Sequence, residues 1–223
     1  MTRNHGPTPH MTAMTRRLLI SSPFLAAAVL MLPRPGRAEM DLARATSFVQ
    51  AAGNELVATI NDPRLDLPAR REKVAAILRR TIDIEGTGRF ILGRFVRQAT
   101  PAELAEYNRL FDDIIVRNLS ARFGEYRGVR FSLGRSQQRT EEDALVNTII
   151  ERPNTPAFAL DWRVSEIGGQ PKVVDVIAEG TSLRLTTRSE YAAVIQRNGG
   201  KVAPLLEAMR NQIAQLAARE TRG

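Results

Sequence analysis

The chain contains no cysteine, and its two histidines, His5 and His10, both lie near the N-terminus. A form of the chain without its first 38 residues therefore has neither side chain. This absence excludes Ser-His-Asp and Cys-His catalysis, zinc sites built on histidine or cysteine, and thiolate chemistry. It also excludes disulfides, so an exported form must rely on packing alone. We expect no metal and no cofactor.

The N-terminus has the pattern of an export signal. Arg16-Arg17 is a basic pair, and residues 18–32 form an apolar run that is too short to span a membrane comfortably. Ala38 and the glycine two residues before it suit the positions that precede a cleavage site, so we expect cleavage after Ala38. The segment Thr15–Leu19 approaches a twin-arginine signal, but the match is incomplete, and ordinary (Sec) secretion is favoured.

Removal of this leader changes the charge balance. Residues 1–38 hold five of the 32 basic residues and none of the 24 acidic ones, so 27 basic residues remain and the net charge falls from +8 to +3. The mature chain has no run of Arg and Lys with interleaved aromatics, and we expect no nucleic acid partner. Residues 39–223 have the length of a single domain with its own core.

Hydrophobic periodicity predicts the class of fold. An apolar repeat of 3.6 residues changes to strict alternation near residue 129 and returns after residue 186. Thr100 and Glu103 have the spacing of a helix capping box, as do Thr187 and Glu190. The predicted helices are 41–60, 66–80, a short segment around 90–95, 100–123, 187–197 and 201–218, and the predicted strands are 129–133, 144–151, 158–165 and 172–178. The order predicts an α+β fold in which a four-stranded antiparallel sheet packs against several helices.

Residues 172–200 join the last strand to the helices through a tight turn at Glu179-Gly180. A hollow between the two layers is the expected place for function. Asp175 and Glu179 flank this join and have two interpretations. They either form an acid pair or serve the structure, with Glu179 bonding turn N–H groups or an arginine such as Arg163. The structural interpretation is favoured.

Five segments, taken in order, have the composition of a known family. They are Leu92-Gly93-Arg94-Phe95; Ala99-Thr100-Pro101 with Tyr107 and Phe111; Leu160-Asp161-Trp162-Arg163; Asp175 to Leu183; and Arg188-Ser189-Glu190-Tyr191 with the four residues from Val194. The chain thereby resembles the MlaC (toluene-tolerance) family of periplasmic phospholipid-binding proteins, which includes the hopanoid-associated HpnM branch. Thr181 and residues 198–201 depart from the family pattern and leave the branch open.

The resemblance implies a periplasmic carrier of phospholipid or hopanoid that acts as a monomer. Its expected partners are an outer-membrane lipoprotein complex and an inner-membrane ABC transporter complex, and its layers are expected to enclose an apolar cavity for acyl tails. The free energy of transfer also favours such a cavity, because each methylene removed from water contributes about 0.8 kcal/mol of stabilisation. Two hypotheses from other classes remain: an enzyme that uses Asp175 or Glu179 for acid–base chemistry in an apolar pocket, and an interaction protein with a filled core.

Candidate cavity residues lie on the inward face of the sheet and on the helices expected to cover it. They are Phe90, Phe95, Tyr107, Phe111, Ile114, Phe158, Leu160, Trp162, Val174 and Val176. For each of them, ordinary core packing is the competing interpretation. Tyr107 and Trp162 also carry a polar group and are alternatively expected at the cavity mouth.

Overall fold

A computed structural model describes residues 41–124 and 128–220, without the side chains of residues 121–124, 219 and 220. The expected leader and its cleavage site lie outside the described residues. The elements are α1 Leu42–Asn61, α2 Leu67–Thr81, α3 Ile84–Leu92 followed by a 3-10 turn Gly93–Arg97, α4 Pro101–Gly124, β1 Arg130–Leu133, β2 Gln137–Gln138, β3 Asp143–Arg152, β4 Thr155–Ile167, β5 Gln170–Ala178, β6 Thr181–Ser182, α5 Leu183–Arg197 and α6 Ala203–Glu220.

The strands form one antiparallel sheet in the order β1-β3-β4-β5-β6, and β2 also pairs with β3. The four predicted strands are β1, β3, β4 and β5, so the predicted α+β class and its antiparallel sheet are confirmed. β2 and β6 are two-residue additions at the sheet edges. Within the two described ranges, no helix has the length and apolar character needed to cross a membrane.

Two-residue turns set the register of the central strands. Gly168-Gly169 joins β4 to β5, and Glu179-Gly180 joins β5 to β6, with positive φ at all four residues. This backbone conformation suits hairpin turns between twisted strands. The predicted tight turn at Glu179-Gly180 is confirmed, although Glu179 occupies a left-handed position (φ 51°) that glycine or asparagine takes more easily.

The helix starts follow capping rules, but one of them lies at a different residue from the predicted one. Asp41 and Asp66 cap α1 and α2 through their carboxylates. At α4, the Thr100 hydroxyl accepts from the Glu103 N–H at 3.2 Å, and the Glu103 carboxylate accepts from the Thr100 N–H at 2.8 Å, which is the predicted capping box. The predicted start of α5 at Thr187 is wrong, because α5 begins at Leu183 with Ser182 as its cap.

The buried apolar residues fall into three clusters. The helical core is built from α3, the 3-10 turn, α4, α5 and α6. The sheet core joins one face of the sheet to α1, through Ala45 and Val49. A third cluster packs α1, α2 and the start of β1 together around Ile60 and Val74. The close approach of α1 to β1 depends on Gly53, because a Cβ there would lie 2.3 Å from the Phe131 ring.

Candidate functional site

One part of the sheet presents apolar side chains that none of the helices between residues 41 and 220 covers fully. In the register, Leu160 lies opposite Ala178 and Trp162 lies opposite Val176, so these four side chains point to the same face. Phe158 follows on β4 with the same alternation. All five are only partly buried. We call this set, Phe158, Leu160, Trp162, Val176 and Ala178, the apolar strip.

Trp162 has its polar group satisfied inside the sheet. Its indole Nε1 donates to the Thr148 Oγ1 at 2.8 Å, and Thr148 is itself buried. The ring packs at the margin of the sheet core. The indole therefore needs no water, and its remaining exposed surface is apolar. Thr148 is not among the predicted cavity residues, since a lone threonine in an alternating strand gives no signal that it pairs with a tryptophan.

The five helical candidates lie in a different place from the strip. Phe95, Tyr107, Phe111 and Ile114 are buried members of the helical core, and Phe90 packs against it. The Tyr107 ring stacks on Phe111 with centroids 5.8 Å apart, and its hydroxyl donates to the Gly88 carbonyl at 2.9 Å. Burial raises the pKa of Tyr107 far above its usual value. The hydroxyl is thus held inside the helical core in this conformation, away from a cavity mouth.

Val174 interrupts the alternation of side chains between the two faces of β5. Val173 lies opposite Val164 and Asp175 lies opposite Arg163, so Val174 is the additional residue of a β-bulge. It is buried, and its carbonyl accepts from the Thr87 hydroxyl at 3.4 Å. The structure therefore brings Phe158, Leu160, Trp162 and Val176 together in the strip, separates Val174 from them, and gathers the other five candidates in the helical core.

Two pockets among the described residues are small or charged. One of 220 Å³ lies between the 3-10 turn and α5, lined by Ile91, Leu92, Gly93, Arg94, Phe95, Arg188, Ala192 and Gln196. Another of 510 Å³ lies beside the α1–α2 loop, with Glu55, Asp62, Arg64 and Lys73 on its walls. Ligand pockets usually measure about 300–1,000 Å³ and are mainly apolar. The cavity expected between the layers stays a prediction.

Asp175 holds the end of β5 to the start of α5. It is 5% exposed. Its Oδ2 accepts from the Ser182 hydroxyl at 2.6 Å, and its Oδ1 accepts from the N–H groups of Val176 and Arg184 at 2.8 and 3.0 Å. The predicted contact of Glu179 with turn N–H groups or with Arg163 is wrong, because in the described part of the chain the Glu179 side chain makes no hydrogen bond or ion pair and is exposed in the turn. The arrangement supports a structural role for Asp175 and gives Glu179 no catalytic partner.

Arg188 joins α5 to the C-terminal end of α3. Its Nη1 donates to the Phe90 carbonyl at 3.2 Å, where a cation also interacts favourably with the helix dipole. Its guanidinium lies 4.7 Å from the Phe90 ring centroid. Gly93 has a positive φ of 55°, and a Cβ there would lie 3.1 Å from the Arg188 Nη2. The Leu92–Phe95 and Arg188–Tyr191 motifs therefore meet in space as one packing contact.

Comparison with known proteins decides the family. The model of the family described as MlaC protein matches residues 50–211. The chain belongs to the MlaC family. The toluene tolerance protein ttg2D of Pseudomonas putida is 21% identical over 140 residues, which are 62% of this chain and 65% of that relative's length.

A solved structure also resembles this member of the MlaC family. It is a phospholipid-binding protein from Ralstonia solanacearum in complex with a phospholipid. The match has a TM-score of 0.69 and 27% identity, and it covers 78% of this chain and 98% of the Ralstonia chain. Nearly the whole fold of that protein is therefore present here.

Proposed function

We propose that the mature protein is a periplasmic carrier that binds phospholipid, or a hopanoid, and is not an enzyme. The observation that carries the proposal is the likeness to the Ralstonia protein, whose structure holds a phospholipid and whose fold this chain shares. The apolar strip is the feature of this chain that would meet the acyl tails. The hydrogen-bonded state of Asp175 removes the main support for an acid–base enzyme.

The energetics define what the carrier must provide. Transfer of a two-tailed lipid with roughly 30 methylenes from a membrane into water would cost on the order of 20 kcal/mol of free energy. The strip alone covers only part of such a molecule, and the 220 Å³ hollow is too small for it. Tail binding therefore requires the helices to move away from the sheet. On such opening, the helical candidates Phe90, Phe95, Tyr107, Phe111 and Ile114 would face the tails from the other side.

The expected export signal and the MlaC family of the chain support a location between two membranes. We propose that it takes lipid between an outer-membrane lipoprotein complex and an inner-membrane ABC transporter complex, and that it acts as a monomer. The chain has no nucleotide-binding loop, so the energy for directional transport would come from the transporter.

Lipid extraction tests the proposal directly. The chain is expressed with its leader, and the mature protein, residues 39–223, is purified from the periplasm without detergent. The purified protein is then extracted with organic solvent. Mass spectrometry is expected to find phospholipid or hopanoid at about one molecule per protein. An extract without either lipid, from protein shown to be folded by circular dichroism, would refute the carrier function. The lipid species found also distinguishes the phospholipid cargo from the hopanoid cargo.

A further inference from the structure

Three arginines and two aspartates gather at the edge where β5 gives way to α5. We call Arg163, Arg184, Arg188, Asp143 and Asp175 the arginine cluster. The closest charged approaches of two of its arginines are long: Arg163 Nη1 lies 3.8 Å from the Asp143 Oδ2, and Arg184 Nε lies 4.0 Å from the Asp175 Oδ2. Neither approach is within hydrogen-bonding distance.

The guanidinium groups of Arg163 and Arg184 are short of acceptors. Their side chains are only 21% and 15% exposed. Among the described residues neither side chain donates a hydrogen bond, and the Nε of each is buried without a partner. An arginine offers five N–H donors in a planar fork, and leaving buried donors unpaired is unfavourable. The two aspartates are occupied elsewhere, because Asp143 bonds Ser165 and Asp175 bonds Ser182.

The cluster is positively charged and held in place. It carries three positive and two negative side chains. Burial lowers the pKa of Arg184, and the nearby Arg163 and Arg188 lower it further, while Asp175 and Asp143 raise it. Arg184 and Arg188 both lie over the Phe90 ring, at 4.0 and 4.7 Å from its centroid. Stacking of this kind fixes a guanidinium before any ligand arrives.

The position of the cluster relates it to the apolar strip. Asp175 and Val176 are consecutive on β5 and point to opposite faces, so the cluster and the strip share a strand. Between Val173, which bridges to Ile82, and Ile177, which pairs with β6, the outer edge of β5 has no strand partner in the described residues. α3 contacts this edge instead, because the Thr87 hydroxyl donates to the Val174 carbonyl, so a molecule whose apolar part lies on the strip would place a polar group at the cluster when the helices move away from the sheet.

We propose that the arginine cluster binds a phosphate-type oxyanion, either the phosphate of a bound lipid or free inorganic phosphate. Planar guanidinium groups bind phosphate oxygens in pairs, and such an anion would supply the missing acceptors. The lipid source rests on the proposed carrier function, whereas the free phosphate source does not. The two sources need separate measurements.

The first measurement uses inorganic phosphate. Thermal unfolding of lipid-stripped mature protein is compared in sodium phosphate and in sodium chloride at equal ionic strength. We expect a higher Tm in phosphate for the wild type, a loss of that difference in the double variant R163Q/R184Q, and its retention in R89Q. Arg89 is the matched control, because it lies on the same helix as Phe90, is exposed and, among the described side chains, pairs only with Glu85.

The second measurement uses lipid. Mixed vesicles present phosphatidylglycerol and a diacylglycerol with identical acyl chains in equal amounts, and mass spectrometry gives the ratio of the two lipids taken up. We expect the wild type and R89Q to enrich the phosphate-bearing lipid about tenfold, as one or more charge-assisted hydrogen bonds would give. The ratio is expected to fall to near one in R163Q/R184Q while the total lipid bound stays unchanged.

The outcomes separate the possibilities. A lost lipid preference in the double variant assigns the cluster to the lipid phosphate, and a lost Tm difference with an unchanged lipid ratio assigns it to free phosphate. A wild type that shows neither a phosphate-dependent Tm nor a lipid preference refutes the site, whether or not the variant folds. If the wild type takes up no lipid at all, the carrier proposal fails, and the phosphate measurement still decides the site.

Discussion

At the residue scale, Asp175 shows how one side chain can fix a junction. Its two oxygens accept three hydrogen bonds from β5, β6 and α5. We expect D175N to lower the free energy of unfolding by about 1–3 kcal/mol, because an amide nitrogen cannot accept and at least one buried donor loses its partner. Urea unfolding at neutral pH measures the loss. The exposed neighbour variant E179Q is the control and is expected to have almost no effect; equal losses in the two variants would contradict this role.

Tyr191 gives the fold a dependence on alkaline pH. Burial raises the pKa of Tyr191 from 10.0 to about 12. Between these values the unfolded tyrosine has released its proton and the folded one has not, so unfolding is favoured as the pH rises. The stability that the neutral Tyr191 side chain contributes is fully present below pH 10 and is lost progressively towards pH 12. We expect the stability of Y191F to fall less steeply between pH 9 and 11 than that of the wild type, as measured by urea unfolding. Parallel pH profiles would contradict the assignment.

At the element scale, the start of α5 distinguishes two candidate caps. The Ser182 hydroxyl accepts from the Leu185 N–H at 3.1 Å and donates to Asp175, whereas the Thr187 hydroxyl donates to the Leu183 carbonyl inside the helix. We expect S182A to cost about 1–2 kcal/mol of stability, the usual loss for a capping residue. T187A is expected to be neutral or slightly stabilising, since alanine favours the helix interior. If thermal unfolding showed a larger loss of stability in T187A than in S182A, the result would support a helix that starts at Thr187.

The wrong prediction for the start of α5 shows that a local sequence pattern does not decide between two possible caps. Thr187 and Glu190 have the same spacing as Thr100 and Glu103, yet only the second pair forms a capping box. The true cap is selected by Asp175, seven residues before Ser182, through a contact that exists only once β5 and β6 are paired. The four long strands and α4 were predictable because alternation and capping are local properties. The bulge at Val174, which moves that residue out of the strip, is a property of the paired strands.

The candidate site was predictable only in part for a related reason. Periodicity identifies inward apolar positions, and both Leu160 and Phe111 satisfy it. It does not show which core each one joins. The structure places Leu160 in the partly exposed strip and Phe111 in the helical core at 1% exposure. The arginine cluster also has no linear signature, since Arg163, Arg184 and Arg188 come from two elements.

At the scale of the whole molecule, the helical core and the sheet core meet along β5. α3 touches this strand through the Thr87 hydroxyl, and α5 is held to it through Asp175 and Ser182. The two cores share no buried residue, so we expect each one to persist when the contacts between the layers change. A lipid between the layers would replace those contacts and stabilise the open form in proportion to its affinity and concentration.

The apolar strip can be tested by a pair of variants on opposite faces of the same sheet. L160R places a charge on the strip, where it would have to be buried against acyl tails, whereas I149R places it on the other face, at a side chain that is already 38% exposed. Ile149 lies opposite Ala159, the residue before Leu160, so the two sites are neighbours in the sheet. Because an unpaired charge is strongly disfavoured in an apolar environment, we expect L160R to retain roughly tenfold less lipid than the wild type.

The readout is the amount of lipid extracted per protein after purification from the periplasm, with circular dichroism as the check that both variants fold. I149R is expected to retain lipid at the level of the wild type, because its charge can remain in water. Equal retention in L160R and I149R would place the acyl tails away from the strip. A loss confined to I149R would place them on the opposite face, beside Asn147 and Asp161, where the polar contacts of the sheet argue against them.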